Sequence, residues 1–167
     1  MRKTVSALTA AALLASTPAL AQDNFSLPEG LWQFSIGYYD VFDDEEAVDL
    51  RIEYRPNSVI FVENLKPFVG AEVTSDASVW VGAGFLYDWN VANEWYVTPS
   101  IGAGLYAQGS SDLDLGHVVE FRSQLEVSYE FEDETRVGMS LSHLSNAGLD
   151  DHNPGTEILS LSYSVPF

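Results

Sequence analysis

Eight successive stretches of this chain alternate apolar and polar residues one by one, and that period of two constrains its fold more than any other feature. Side chains alternating in this way face opposite sides of a β-strand; a helix would repeat its apolar positions every three or four residues. In the first stretch Trp32, Phe34, Ile36 and Tyr38 oppose Gln33, Ser35 and Gly37. In the second, Val48, Leu50, Ile52 and Tyr54 oppose Asp49, Arg51 and Glu53. The third sets Val69, Ala71 and Val73 against Gly70 and Glu72, and the fourth runs from Val79 to Trp89 with Gly82, Gly84 and Asp88 on its polar side. Trp95, Val97, Ile101, Ala103 and Leu105 mark the fifth. The sixth is the longest, with Val119, Phe121, Leu125, Val127, Tyr129 and Phe131 opposite Glu120, Arg122, Gln124, Glu126, Ser128 and Glu130. Val137, Met139 and Leu141 lie on the seventh, and Leu159, Leu161, Tyr163, Val165 and Phe167 on the eighth. The segment from Asn57 to Leu65 fits no template and reads equally as a turn, a short helix or a strand extension.

The ends and composition decide what these strands close into. Residues 1–21 read as an export signal: Arg2 and Lys3, an apolar centre from Val5 to Leu14, and a cleavage pattern at Ala19-Leu20-Ala21. The remaining 22–167 form one domain, with no second composition, linker or repeat. There is no cysteine, so neither a disulfide framework nor a thiolate zinc site can hold the chain together. No apolar run after the signal is long enough for a membrane helix. Closed barrels are the other structure that satisfies its backbone inside hydrocarbon, and eight strands make the smallest usual one. The expected fold is therefore all-β, an eight-stranded antiparallel transmembrane β-barrel located in the outer membrane. The aromatic residues near the strand ends and the terminal Phe167 fit that reading. A soluble lipocalin-like barrel is the alternative, and it differs in one observable way. Its apolar faces would point inward and its charged faces to water, the reverse of a membrane barrel. With both termini on the periplasmic side, the connection between the seventh and eighth strands lies outside the cell.

That connection carries the chemistry. His143 and Ser145 continue the odd-numbered apolar series of the seventh strand, and Glu157 opens the odd series of the eighth. All three should face lipid, where polar groups are costly and need a reason. Residues two apart on a strand share a face about 7 Å apart. His143 can then act as base toward the Ser145 hydroxyl, with Glu157 from the neighbouring strand orienting the imidazole. Next to that nucleophile, the backbone N–H of Ala147 or Gly148 and the Asn146 side chain could form an oxyanion hole. Asn146-Ala147-Gly148 and Asn153-Pro154-Gly155 are also ordinary turn chemistry, so a non-enzymatic structural or interaction barrel is the competing reading.

The pattern H-x-S-N-A-G-L-x3-N-P-G-x-E over residues 143–157 resembles the lipid A 3-O-deacylase (acyloxyacyl hydrolase-like) family of outer-membrane barrels. The specific match covers roughly residues 139–167; elsewhere only the architecture agrees. The resemblance implies Ser145 as nucleophile, His143 as base and Glu157 as orienting acid. It further implies Asn146 and Gly148 as oxyanion donors with Asn153 in support. It also implies hydrolysis of the 3-O-linked 3-hydroxyacyl chain of lipid A, in the lipopolysaccharide of the outer leaflet, with no cofactor and no metal. A homodimer is left open.

Charge sits awkwardly with a phosphorylated lipid. The chain has 7 basic and 25 acidic residues and a formal net charge of −18. Such a balance argues against a nucleic-acid partner, and an anion-binding surface is normally basic. Acidic loops that simply stay solvated, divalent cations bridging carboxylates to phosphates, and a lipid without phosphates are the three accounts. His117 and His152, near Asp150 and Asp151, read as solvated loop residues.

Overall fold

The computed structural model describes residues 29–43 and 46–167. The expected export signal lies outside them. Nine strand segments follow one another: β1 (Gly30–Tyr39), β2 (Ala47–Pro56), β3 (Leu65–Thr74), β4 (Val79–Tyr87), β5 (Trp89–Ala92), β6 (Trp95–Ala107), β7 (Val119–Glu130), β8 (Arg136–Ser145) and β9 (Thr156–Pro166). Every neighbouring pair is antiparallel, and β1 pairs with β9 while β4 pairs with β6, so the sheet closes on itself. The nine segments make eight staves, because β4 and β5 are one strand interrupted at Asp88. Register is the same on both sides of the gap, Leu86 opposite Ser100 before it and Trp89 opposite Val97 after it. Across the gap stands Pro99 of β6, and proline has no N–H to give the ladder. The segment from Asn57 to Leu65 is a turn, closed by hydrogen bonds from Ile60 N to Leu65 O and from Leu65 N to Val62 O.

Orientation of the faces separates the two barrel types. Phe34, Ile36, Leu50, Ile52, Val81, Ile101, Leu125, Met139 and Leu161 are exposed, while Gln33, Arg51, Glu53, Glu72, Arg122 and Glu126 are buried. Apolar-out and charged-in is the membrane arrangement, so the chain spans a bilayer and the lipocalin-like alternative fails. Aromatic residues gather on the outer wall near the end where β1 begins and β9 finishes. Trp32 and Tyr54 enclose Phe167 at ring distances of 6.1 and 5.6 Å, and Tyr129 of β7 meets Trp95 of β6 and Phe131 edge-on at 5.3 and 5.2 Å. Such rings suit the polar edge of a bilayer.

The lumen is filled rather than open. On one side Arg122 lies over the rings of Trp80 and Phe68, 4.6 and 5.3 Å from their centroids, and pairs with Glu53 and with Glu72. Arg55 joins Glu53 at 2.8 Å to Glu126 at 3.0 Å. Space for the Trp80 ring comes from glycines on its own strand and on the next one. A Cβ on Gly82 or Gly104, which oppose each other across β4 and β6, would fall 2.4–2.5 Å from the Trp80 ring. The opposite wall is lined by small residues, among them Ser140, Ser142, Ser160, Ser162 and Ser164. At the end where β8 finishes and β9 begins, Leu115 of the β6–β7 loop is fully buried in one apolar cluster with Leu144, Tyr106 and Trp80.

Candidate active site

Strand pairing decides which polar side chains meet on the outer wall. β8 and β9 are joined so that His143 stands directly opposite Glu157. Their side chains use that proximity: His143 Nδ1 lies 2.9 Å from Glu157 Oε1. A carboxylate accepts only, so Nδ1 carries the proton and Nε2 is left as the acceptor. Neither group is sealed away, since the side chains keep 44% and 29% of their accessible surface, enough to meet a substrate arriving from the surroundings.

Ser145 lies two residues along β8 on the same face, partly exposed, as the last residue of the strand. Its hydroxyl makes no hydrogen bond to His143 among the described residues, so the structure joins base and acid and leaves the serine beside them. The ladder continued one step places Ser145 opposite Gly155. A Cβ on Gly155 would fall 2.7 Å from His143 Cε1 and 3.2 Å from Nε2, and Gly155 has φ +71°. The imidazole therefore occupies the space where another residue's side chain would begin, tilted toward the level of Ser145.

The turn after Ser145 is held from several directions. Asn146 is fully buried, and its Nδ2 donates to Leu115 O at 2.9 Å and to His152 O at 2.8 Å. Its Oδ1 accepts from Gly148 N at 2.9 Å, and its own N–H donates to Asn153 Oδ1 at 3.0 Å. The donors of Asn146 and Gly148, expected at an oxyanion hole, are thus committed to building the turn and fastening it to the β6–β7 loop. Asn153 supports the same turn. Leu149 N donates to Asn146 O at 3.1 Å, closing a turn whose central residues Ala147 and Gly148 both have positive φ, 54° and 80°. Glycine takes that conformation freely, whereas alanine is strained there by about 1–2 kcal/mol. The Ala147 N–H donates to no group among the described residues.

A groove of about 610 Å³ descends the outer wall from this site, lined by Ser123, Pro99, Leu125, Leu141, His143 and Glu157. Phe42 of the β1–β2 loop overhangs it. Ser123 pairs with His143 across β7 and β8, on the flank opposite Glu157. The sequence reading missed Ser123 and the packing role of Gly155. Ser123 had a signal, a hydroxyl interrupting the apolar series Val119, Phe121, Leu125, Val127. Gly155 had none, because a glycine after Asn-Pro is what any turn would carry.

A family model described as Lipid A 3-O-deacylase (PagL) matches residues 61–166 of the chain. Lipid A deacylase PagL of Bordetella bronchiseptica is 28% identical over 95 residues, which are 56% of this chain and 53% of that protein. The chain thus aligns with about half the length of that curated relative. Among solved structures, the crystal structure of the outer membrane enzyme PagL superposes with a TM-score of 0.62 at 19% identity, covering 82% of this chain and 99% of that one. Neisserial surface protein A superposes with a TM-score of 0.60 at 13% identity, over 83% and 96% of the two chains. At such identities these likenesses show the fold alone.

Proposed function

The chain belongs to the lipid A 3-O-deacylase family, and from that premise we propose that it is an outer-membrane serine esterase releasing the 3-O-linked 3-hydroxyacyl chain of lipid A. The observation that carries the reading is the 2.9 Å His143–Glu157 hydrogen bond on the outer wall, two residues from Ser145. Inside the lumen such a pair would be packing. On a wall that is mostly apolar it needs a reason, and ester hydrolysis supplies one.

In this mechanism Ser145 Oγ attacks the ester carbonyl carbon while its proton passes to His143 Nε2. Glu157 holds the ring in the tautomer that can accept that proton and stabilises the imidazolium formed. The Ser145–His143 hydrogen bond forms only when substrate arrives, as catalytic contacts are often completed in the bound state. Ala147 N–H is the donor for the developing oxyanion, and the strain at its backbone is the kind kept at working sites. Collapse of the tetrahedral intermediate returns the proton from Nε2 to the departing sugar oxygen and leaves the acyl chain on Ser145. Water, deprotonated by the same nitrogen, then frees the 3-hydroxy fatty acid. The acyl chain lies along Leu125, Leu141 and Pro99, with Ser123 placed to meet its hydroxyl. Because the groove opens sideways at the extracellular rim, the substrate is a lipid of the outer leaflet and enters from the membrane.

Mass spectrometry of lipid A from cells producing the wild type or Ser145→Ala tests this. Loss of one 3-hydroxyacyl chain with the wild type only is expected. Identical lipid A from both, with each barrel shown to be folded, would favour a non-enzymatic barrel and overturn the reading.

A further inference from the structure

Every lysine and arginine after residue 28 is used inside the barrel. Arg51, Arg55, Arg122 and Arg136 are buried, and Lys66 bridges Asp88 at 3.1 Å. The connections at the site end, 40–46, 75–78, 108–118 and 146–155, contain no lysine or arginine at all. They contain carboxylates instead. Asp43, Glu46, Asp112, Asp114, Asp150 and Asp151 are all exposed. The last two sit in the loop joining Ser145 to Glu157, at the end of the barrel toward which a head group attached to an acyl chain in the groove would project. Proteins that hold phosphate use arginine forks, lysines or helix N-termini, and among the described residues this end offers none of them.

We infer that the site takes a glycolipid whose head group carries no net negative charge beside the scissile ester. The head group either lacks phosphate or has its phosphates already neutralised by divalent cations. This rests on the deacylase reading and narrows its substrate. Like charges within about 8–10 Å of each other, one Debye length at moderate ionic strength, repel without full screening. Asp150 and Asp151 therefore weaken productive binding of an anionic lipid without touching the reacting atoms.

The test uses the full-length refolded barrel and two synthetic substrates, a 3-O-(3-hydroxyacyl) diglucosamine lipid with two phosphates and the same lipid with none, each in EDTA and in millimolar Mg²⁺. In EDTA the phosphate-free lipid is expected to show a kcat/KM roughly tenfold higher, the size that a few partly screened charge pairs produce. Mg²⁺ closing that gap assigns the natural substrate to cation-neutralised lipid; a gap persisting in Mg²⁺ assigns it to a head group without phosphate. Asp150→Asn combined with Asp151→Asn is expected to raise turnover of the phosphorylated lipid in EDTA about threefold, with the phosphate-free lipid unchanged. Equal turnover of both lipids in EDTA, faster turnover of the phosphorylated one, or a gap untouched by the double substitution would overturn the inference and leave the deacylase reading standing. Hydrolysis of neither lipid would sink the deacylase reading, and this inference with it.

Discussion

Two polar clusters sit on the two faces of one barrel wall, and they are built differently. In the lumen, Arg122, Arg55, Glu53, Glu72 and Glu126 are buried and interlocked, each charge answered by at least one opposite charge. On the outer wall His143, Ser145 and Glu157 are partly exposed, and only two of them are joined. Glutamate, the residue type common to both, does opposite work in them. Mutual ion pairing and burial hold the inner cluster still and deny it a substrate. Incomplete pairing and access to the surroundings leave the outer cluster with an acceptor nitrogen and a hydroxyl to offer.

The contrast can be broken by exchanging its consequences. Glu157→Gln is expected to lower turnover by about 10³-fold, because an amide no longer fixes the imidazole tautomer, and to leave thermal unfolding unchanged. Arg122→Met should do the reverse. It takes one of two close arginine partners from Glu53 and leaves Glu72 with Arg51 at 3.7 Å. Breaking a buried pair destabilises a protein by about 3–5 kcal/mol, while turnover per folded molecule stays at the wild-type value. Denaturant unfolding in detergent followed by lipid hydrolysis on the refolded fraction reads both. Loss of turnover in folded Arg122→Met, or loss of stability without loss of turnover in Glu157→Gln, would erase the distinction between the clusters.

A smaller effect sharpens the outer half of the comparison. Gly155→Ala places a methyl where the imidazole lies, pushing Nε2 off its line to Ser145. A displacement of this kind costs up to about 10²-fold in rate. The expected signature is a fall in kcat with KM nearly constant, measured on the folded fraction. A change confined to KM would mean that Gly155 shapes the groove and leaves the base alone.

Much of this division could be read before any coordinates. Strand parity alone put Arg122 and Glu53 on one face and His143 and Glu157 on the other, since a period of two leaves no third choice. The connection between the last two strands was marked by its Asn, Gly and Pro residues. Other features depend on pairing across strands that the chain does not spell out locally. The break between β4 and β5 is caused by Pro99 on a neighbouring strand. Ser123 joins the site only because β7 and β8 align it with His143. The commitment of Asn146 to Leu115 O links residues 31 positions apart. A motif shows which residue types gather at a turn, but not which of their donors the turn itself consumes.

The central claim is that the outer cluster is a serine nucleophile served by its own base, and covalent labelling tests it most directly. The refolded barrel is treated with a long-chain alkyl fluorophosphonate, digested, and the adduct located by peptide mass spectrometry, with His143→Ala as the control. The account requires a single adduct on Ser145, formed by the wild type and lost in His143→Ala. An adduct on Ser123, or an unlabelled barrel that still hydrolyses its lipid, would contradict it.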